Sequence, residues 1–413
     1  MIRTKTAHLI SLFMPGMLVA ATGVGAGDLA TSSFTGNQLG LSILWAVVVG
    51  GILKFTLTEG LARWQLVTGQ TLIQGVATHF SFTGWLFVPY FLVWSFFVAS
   101  ALMSACGVTL HAIAPIFDSS TDKVIYAIIS SISGYVLVMA GGFRLFEKVM
   151  AVCIGIMFIT VIITALLLWP GTTAVLSGLL FPSIPNMQDN GITWTIALIG
   201  GVGGTVTVLC YGYWIREWGR TTTKSIKSCR IDLAAGYLMT ILFGLAMVII
   251  GNTIEIEGHG AGLLVSLANS LEKPLGITGH WLFLTGAFCA TFSSLLGVWQ
   301  ATPYLFADSW QLFFAKNSKP SDAIIFSKAY RYYLLALTFT PMLGLFMQFK
   351  EAQKLYAVVG ALFIPLLALT LLLMNTRKKW LGHHYNSMTT NLTLIVTLFF
   401  FLTMAYLQWR NIY

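Results

Sequence analysis

Eleven times along this chain, an apolar stretch of roughly 20 residues or more runs with almost no charge inside it. A helix of about 20 residues at 1.5 Å per residue matches a hydrocarbon core of roughly 30 Å. Lipid offers no partner to a backbone amide, so only helices or closed barrels cross it, and runs of this length are helices. The whole chain obeys the same rule. It is 57% hydrophobic and only 9% charged, where a soluble domain carries about 25% charge. That excludes a soluble fold, a disordered chain, a coiled coil and a collagen-like fibre. Cys106, Cys153, Cys210, Cys229 and Cys289 are scattered with no Cys-x-x-Cys pair, which reads as small buried hydrophobes and not as a disulfide or zinc framework.

The expected spans are 8–36, 40–64, 83–114, 123–141, 148–169, 192–217, 232–252, 280–308, 329–349, 353–374 and 388–408, called spans 1 to 11 here. The segments 170–191 and 253–279 read as loops, the second with a short surface helix at 260–271. The charged start followed by the apolar run 9–22 has the look of a signal peptide. The run continues into a glycine-rich stretch and ten further spans follow, so an uncleaved first span is expected.

The formal net charge of +9 does not require nucleic acid. With the N-terminus inside and every span crossing, only Lys123, Lys273, Lys350, Lys354 and Arg410 of the 23 basic residues fall outside, and Lys54 falls within span 2. The remaining seventeen lie on the cytoplasmic side, as the excess of Lys and Arg in cytoplasmic loops requires, and face anionic lipid. This arrangement predicts a multi-pass protein of the cell membrane, N-terminus in the cytoplasm and C-terminus outside, as a monomer or homodimer.

Spans 1 and 6 are interrupted by glycine, at Gly23-Val-Gly-Ala-Gly27 and Gly200-Gly-Val-Gly-Gly204. Glycine costs a helix about 1 kcal/mol relative to alanine, and clusters of it favour unwinding and close approach of a ligand. Two broken spans five apart, hence antiparallel, mark inverted repeats with a substrate site between them. Residues 1–170 then form the first repeat, 171–376 the second, and 377–413 an appended span 11. Glycines packed between helices are the alternative reading.

A carboxylate inside hydrocarbon is by default a functional residue. Of the 14 acids, Asp28 and Glu59 sit well within the expected spans. Asp28 follows the break in span 1, where it can cap the second half-helix or bind a cation beside unwound carbonyls. Glu59 is four residues from Arg63, a helical ion pair or a gating station. Lys54 is too central to snorkel, and at five residues from Glu59 it points to another face. It pairs with Asp28, stands where another transporter holds a coupling cation, or has a packing role only. After the span 6 break come Thr205, Thr207, Cys210 and Tyr211, with hydroxyls for a cation or solute. The seven histidines lie near span ends or in loops.

Met14-Pro-Gly-Met-Leu-Val-Ala-Ala-Thr-Gly-Val-Gly-Ala-Gly-Asp-Leu-Ala-Thr-Ser32 resembles the first helix of the Nramp (natural resistance-associated macrophage protein) family of divalent metal transporters. Thr58-Glu-Gly-Leu-Ala-Arg-Trp-Gln-Leu-Val-Thr-Gly69, Ser293-Ser294…Gly297 and Phe363-Ile-Pro-Leu-Leu367 resemble its segments in spans 2, 8 and 10, in the same order. The resemblance implies the leucine-transporter-type fold. It also shows departures. The family's Asp-Pro-Gly-Asn becomes Gly25-Ala26-Gly27-Asp28, and its Met-Pro-His falls near Val208, Leu209 and Cys210. Span 3 carries no acid where the family has a proton route. With thioether and imidazole gone, oxygen ligands favour a harder ion.

These readings predict a secondary transporter of a divalent cation, manganese, iron or a harder ion such as magnesium, working by alternating access. The cation is cargo; no cofactor is permanently bound. Asp28 is the expected metal carboxylate, with Gly25, Gly203, Thr205, Thr207 and Tyr211 around it and Lys54, Glu59 and Arg63 in coupling or gating. The rival is a small organic solute, such as an amino acid, on the same fold. A scaffold gains nothing from two broken spans, and no enzyme motif is present.

Overall fold

The computed structural model describes residues 2–80, 84–187, 190–253, 263–314 and 327–412, and every regular element among them is helical. His259, Lys316, Lys319 and the start of the expected surface helix lie outside the described residues. Nine of the described helical stretches are long and apolar enough to cross a membrane. They cover expected spans 2 to 8, 10 and 11. Span 1 contributes a shorter apolar helix, Phe13–Gly23. Span 9 is Lys328–Phe339 continued by the tighter 3-10 turn Thr340–Phe346, because Pro341 cannot continue the α-helical ladder.

The ends of the elements follow local chemistry. Gly40, at φ 68°, separates Ser32–Leu39 from the 3-10 turn Gly40–Ile43, so span 2 begins at Leu44 and not at 40. Asp118 caps Ser119–Leu167 by accepting from the Ser120 and Thr121 amides. Thr71 and Gln74 close a capping box on Leu72–His79, an unexpected helix between spans 2 and 3. The 170–191 segment, expected as loop, contains the helix Thr172–Leu180. The helix Leu263–Phe313 carries both the surface helix and span 8, with a bend at Gly276 where φ is 65°.

Span 7 lies along span 1 in close glycine contact. A Cβ on Gly16 would strike the Asp232 backbone, one on Gly36 the Val248 carbonyl, and one on Gly251 the Ser33 carbonyl. Small residues let membrane helices approach to backbone distance. Span 8 packs on spans 3, 4 and 5, and the first half of span 6 on spans 2 and 10. Span 6 is the innermost element. Its apolar window is 94% buried inside the protein, against 22% for spans 4 and 11, which face outward. A helix that breaks at membrane depth has to be shielded in this way.

Candidate functional site

Both glycine clusters are irregular, but differently. Span 1 does not unwind. After Ile2–Gly23 it passes through a π-helix, Val24–Thr31, and resumes at Ser32–Leu39. The α-helix of span 1 is interrupted at its glycines as expected, but by a π-helical segment and not by unwound backbone. Wide i→i+5 turns keep the backbone bonded while adding a residue to the turn. Asp28 therefore sits inside a helix and caps nothing. Gly25 lies in the same π segment.

Span 6 does break. The helix Gly191–Gly201 ends, Val202 turns to φ −51°, ψ 121°, Gly203 follows at φ 71°, and the Gly204 amide donates back to the Gly201 carbonyl at 3.1 Å. These are the angles and the bond of a type II turn, which needs glycine at its third position. Gly204, at φ 84°, extends the irregular stretch until the 3-10 turn Val206–Cys210 and the helix Tyr211–Glu217. The two clusters touch: a Cβ on Gly23 would collide with the Gly203–Gly204 backbone.

Asp28 and Lys54 meet this break from different elements. Asp28 is fully buried, and its Oδ2 accepts from the Gly203 amide at 3.4 Å. Among the described residues its Oδ1 has no hydrogen-bond partner, and neither does Ser32 Oγ one turn on. Both atoms lie within 4 Å of where a Cβ would stand on Gly244 of span 7, at 3.6 and 3.8 Å. Lys54 is 1% exposed, and its ammonium donates to three carbonyls of the break: Gly200 at 2.9 Å, Val202 at 3.0 Å, and Gly204. No ion pair joins it to Asp28 within 4.0 Å among the described residues.

Around this centre the space is filled. Trp94 Nε1 donates to Thr205 Oγ1 at 2.8 Å, tying span 3 to the break. Thr58 and Tyr237 share a 2.6 Å hydrogen bond, and the Tyr237 ring lies beside Gly203. Thr207 Oγ1 lies beside Gly204. Ser294 of span 8 donates to the Ala21 carbonyl of span 1 at 2.8 Å.

Tyr211 belongs elsewhere. Its hydroxyl donates to Asp232 Oδ2 at 2.9 Å. Asp232 also accepts from Arg220 at 2.9 Å and, through Oδ1, from the Gly16 amide at 2.7 Å. This knot joins spans 1, 6 and 7. Glu59 pairs with Arg63 at 3.1 Å and with Arg230 at 2.8 Å, and Arg63 also holds the His384 carbonyl and Asn386. Asp308 accepts from Thr71, Gln74 and Tyr213. The sequence reading placed Asp232 and Asp308 at span edges. Both are buried, because the helices run on to Ile226 and to Phe313.

The description "Natural resistance-associated macrophage protein-like" matches residues 16–409. The chain is similar to the uncharacterized protein PM0681 of Pasteurella multocida, 21% identical over 343 residues, covering 80% of this chain and 76% of that one. It is also similar to the divalent metal cation transporter MntH of Chromohalobacter salexigens, 25% identical over 252 residues. That match covers 57% of this chain and about half of the relative, 53%. Among solved structures, a manganese transporter of Eremococcus coleocola superposes with a TM-score of 0.70 at 15% identity, covering 96% of this chain and 85% of that one. MhsT in complex with L-phenylalanine superposes at 0.66 and 14% identity, covering 96% and 98%. Both share this fold, the leucine-transporter type.

Proposed function

Because the chain belongs to the Nramp family, a family of membrane transporters and not of enzymes, we propose that it moves a divalent cation across the cell membrane by alternating access, with Asp28 as the carboxylate that meets the cargo. One observation carries this reading. Asp28 is fully buried, touches the break in span 6 through one oxygen, and among the described residues has no partner for its other oxygen. A buried carboxylate oxygen left unpaired is expensive, and a cation satisfies it.

Its surroundings point to a hard ion. Among the described residues no three His, Cys, Asp or Glu side chains gather as a metal cluster. One carboxylate, the Ser32 hydroxyl and backbone oxygen are the donors offered, which suit manganese or magnesium retaining some of its water. Gly25, Gly203, Thr205 and Thr207 line the approach, while Lys54, Glu59 and Arg63 act on the conformational change. Tyr211 enters through the knot at Asp232 and not as a ligand. The two repeats are 1–170 and 171–376, with 377–413 appended, the N-terminus cytoplasmic and the C-terminus outside. Protons are the proposed coupling ion.

The test is uptake into proteoliposomes of Mn²⁺, Fe²⁺ and Mg²⁺ by the wild type and by Asp28→Ala. Uptake of at least one ion, lost in the variant, is expected. No uptake of any of the three by folded wild type overturns the reading. A second reading rests on Lys54. An ammonium at Lys54, donating to the carbonyls of the break that Asp28 also touches, would leave the centre near neutral, which suits a zwitterionic organic solute better than a bare dication. Thermal stabilisation by amino acids and not by metals would favour it.

A further inference from the structure

The Lys54 side chain alone satisfies three carbonyls of the broken backbone of span 6. The final carbonyls of a helix have no partner within it and carry the negative end of its dipole. Where Gly191–Gly201 ends inside the protein, the carbonyl of Gly200 in its last turn and those of Val202 and Gly204 just past its end all accept from Nζ. An ammonium has three donors and no acceptor, so three carbonyls are its full complement. A neutral amine would turn a lone pair toward one of these oxygens, so the arrangement holds the charged form. Its compensation comes from carbonyl dipoles, since no carboxylate pairs with it among the described residues. Rings of backbone carbonyls that replace a hydration shell are how proteins hold small monovalent cations.

We propose that the break in span 6 is a monovalent-cation cradle which this chain fills with its own Lys54 ammonium, and that removing the side chain turns it into a site for a free small cation, a methylammonium, ammonium or alkali ion. The type II turn shapes the cradle. Val202 in extended conformation and two consecutive glycines at positive φ let the alternate carbonyls 200, 202 and 204 converge on one point. The protein packed around it excludes water: Gly50 of span 2 sits against Ile199 and Val202, and Gly200 against Ala361 of span 10. A cation covalently fixed there stays with the protein through every cycle. If the chain is a transporter, as proposed above, its transport needs no sodium or potassium at this place.

The experiment is thermal melting of purified wild type, Lys54→Ala and Lys54→Met against methylammonium, ammonium, sodium and potassium chloride. N-methylglucamine chloride at matched ionic strength is the control for salt. Lys54→Ala is expected to melt below wild type, and a small cation is expected to restore part of the loss in a saturable way. Wild type, whose cradle is filled, and Lys54→Met, whose chain occupies the space, are expected not to respond. A folded Lys54→Ala with no saturable response to any of the four, or an equal response in wild type, overturns the proposal. Should Lys54→Ala not survive purification, Lys54→Ser expressed with and without methylammonium gives the same reading. Folded protein recovered only with methylammonium supports the cradle, and none recovered in either medium overturns it. Because the readout is melting and not uptake, failure of the metal reading leaves this result intact.

Discussion

The knot at Asp232 makes a quantitative prediction about opening. Asp232 binds a span 1 amide, the Tyr211 hydroxyl and the Arg220 guanidinium, all between 2.7 and 2.9 Å. Any motion that swings spans 1 and 6 away from span 7 has to break it. Hydrogen bonds to charged groups contribute about 1.5–3 kcal/mol each. Asp232→Asn keeps one acceptor oxygen and loses the charge facing Arg220, so the closed arrangement loses about 2–3 kcal/mol. At about 1.4 kcal/mol per tenfold, the open population rises roughly 30- to 150-fold. The chain carries its own reporter. Cys229 is 2% exposed and sits in the knot, its sulfur 3.8 Å from Arg220 and its carbonyl bonded to Tyr211 at 3.4 Å. Maleimide labelling of Cys229, assigned by a Cys229→Ser variant, is expected to accelerate by the same factor when opening is fast relative to labelling. Cys106 in span 3, fully buried and outside the knot, is expected to label at its wild-type rate. An unchanged Cys229 rate in folded Asp232→Asn refutes the reasoning. Equal acceleration at Cys106 refutes it too, because global loosening would then be the cause.

Gly203→Ala forces a side chain into φ 71° with its Cβ 2.8 Å from the Tyr237 ring, so melting is expected to fall by the equivalent of about 2–4 kcal/mol, whereas Gly155→Ala, with open space around it, is expected to be neutral or slightly stabilising. Trp94→Phe and Thr205→Val each remove one end of a 2.8 Å bond. Their double-mutant cycle is expected to show coupling of about 0.5–1.5 kcal/mol in denaturation, and strict additivity would mean the bond does not contribute.

Much of this was visible in one dimension, and what was not has identifiable causes. Mid-span charge singled out Asp28 and Lys54, because hydrocarbon makes such residues rare whatever their partners. The partner of Lys54 was not readable: three carbonyls converge only once span 6 has turned, and no side-chain type announces a carbonyl. Both glycine clusters looked alike, yet only span 6 has a Gly-Gly pair following Gly-Val, and both of those glycines took positive φ. The Gly-x-Gly-x-Gly of span 1 leaves a side chain between successive glycines, and that segment stayed helical. Asp232 and Asp308 were missed for a simpler reason. Span ends were drawn where polarity begins, while both helices continue through polar residues that the protein itself buries. Tyr211 follows the break closely in sequence, but its hydroxyl is claimed by span 7, a pairing that only the packing of spans 1 and 7 creates.

The π-wound segment of span 1 gives the centre an asymmetry of exchange. Its amides stay bonded across a wide turn through Val24–Thr31, while the Gly203 amide rests on a single 3.4 Å contact to Asp28 and the Gly204 amide on one local turn bond. Deuterium carried in by water would therefore mark span 6 before span 1. A protein built this way keeps one wall of its centre in a regular hydrogen-bonded helix, and confines its irregular backbone to the opposite wall. If the cargo meets Asp28, as proposed, it is held between one adjustable surface and one stiff one.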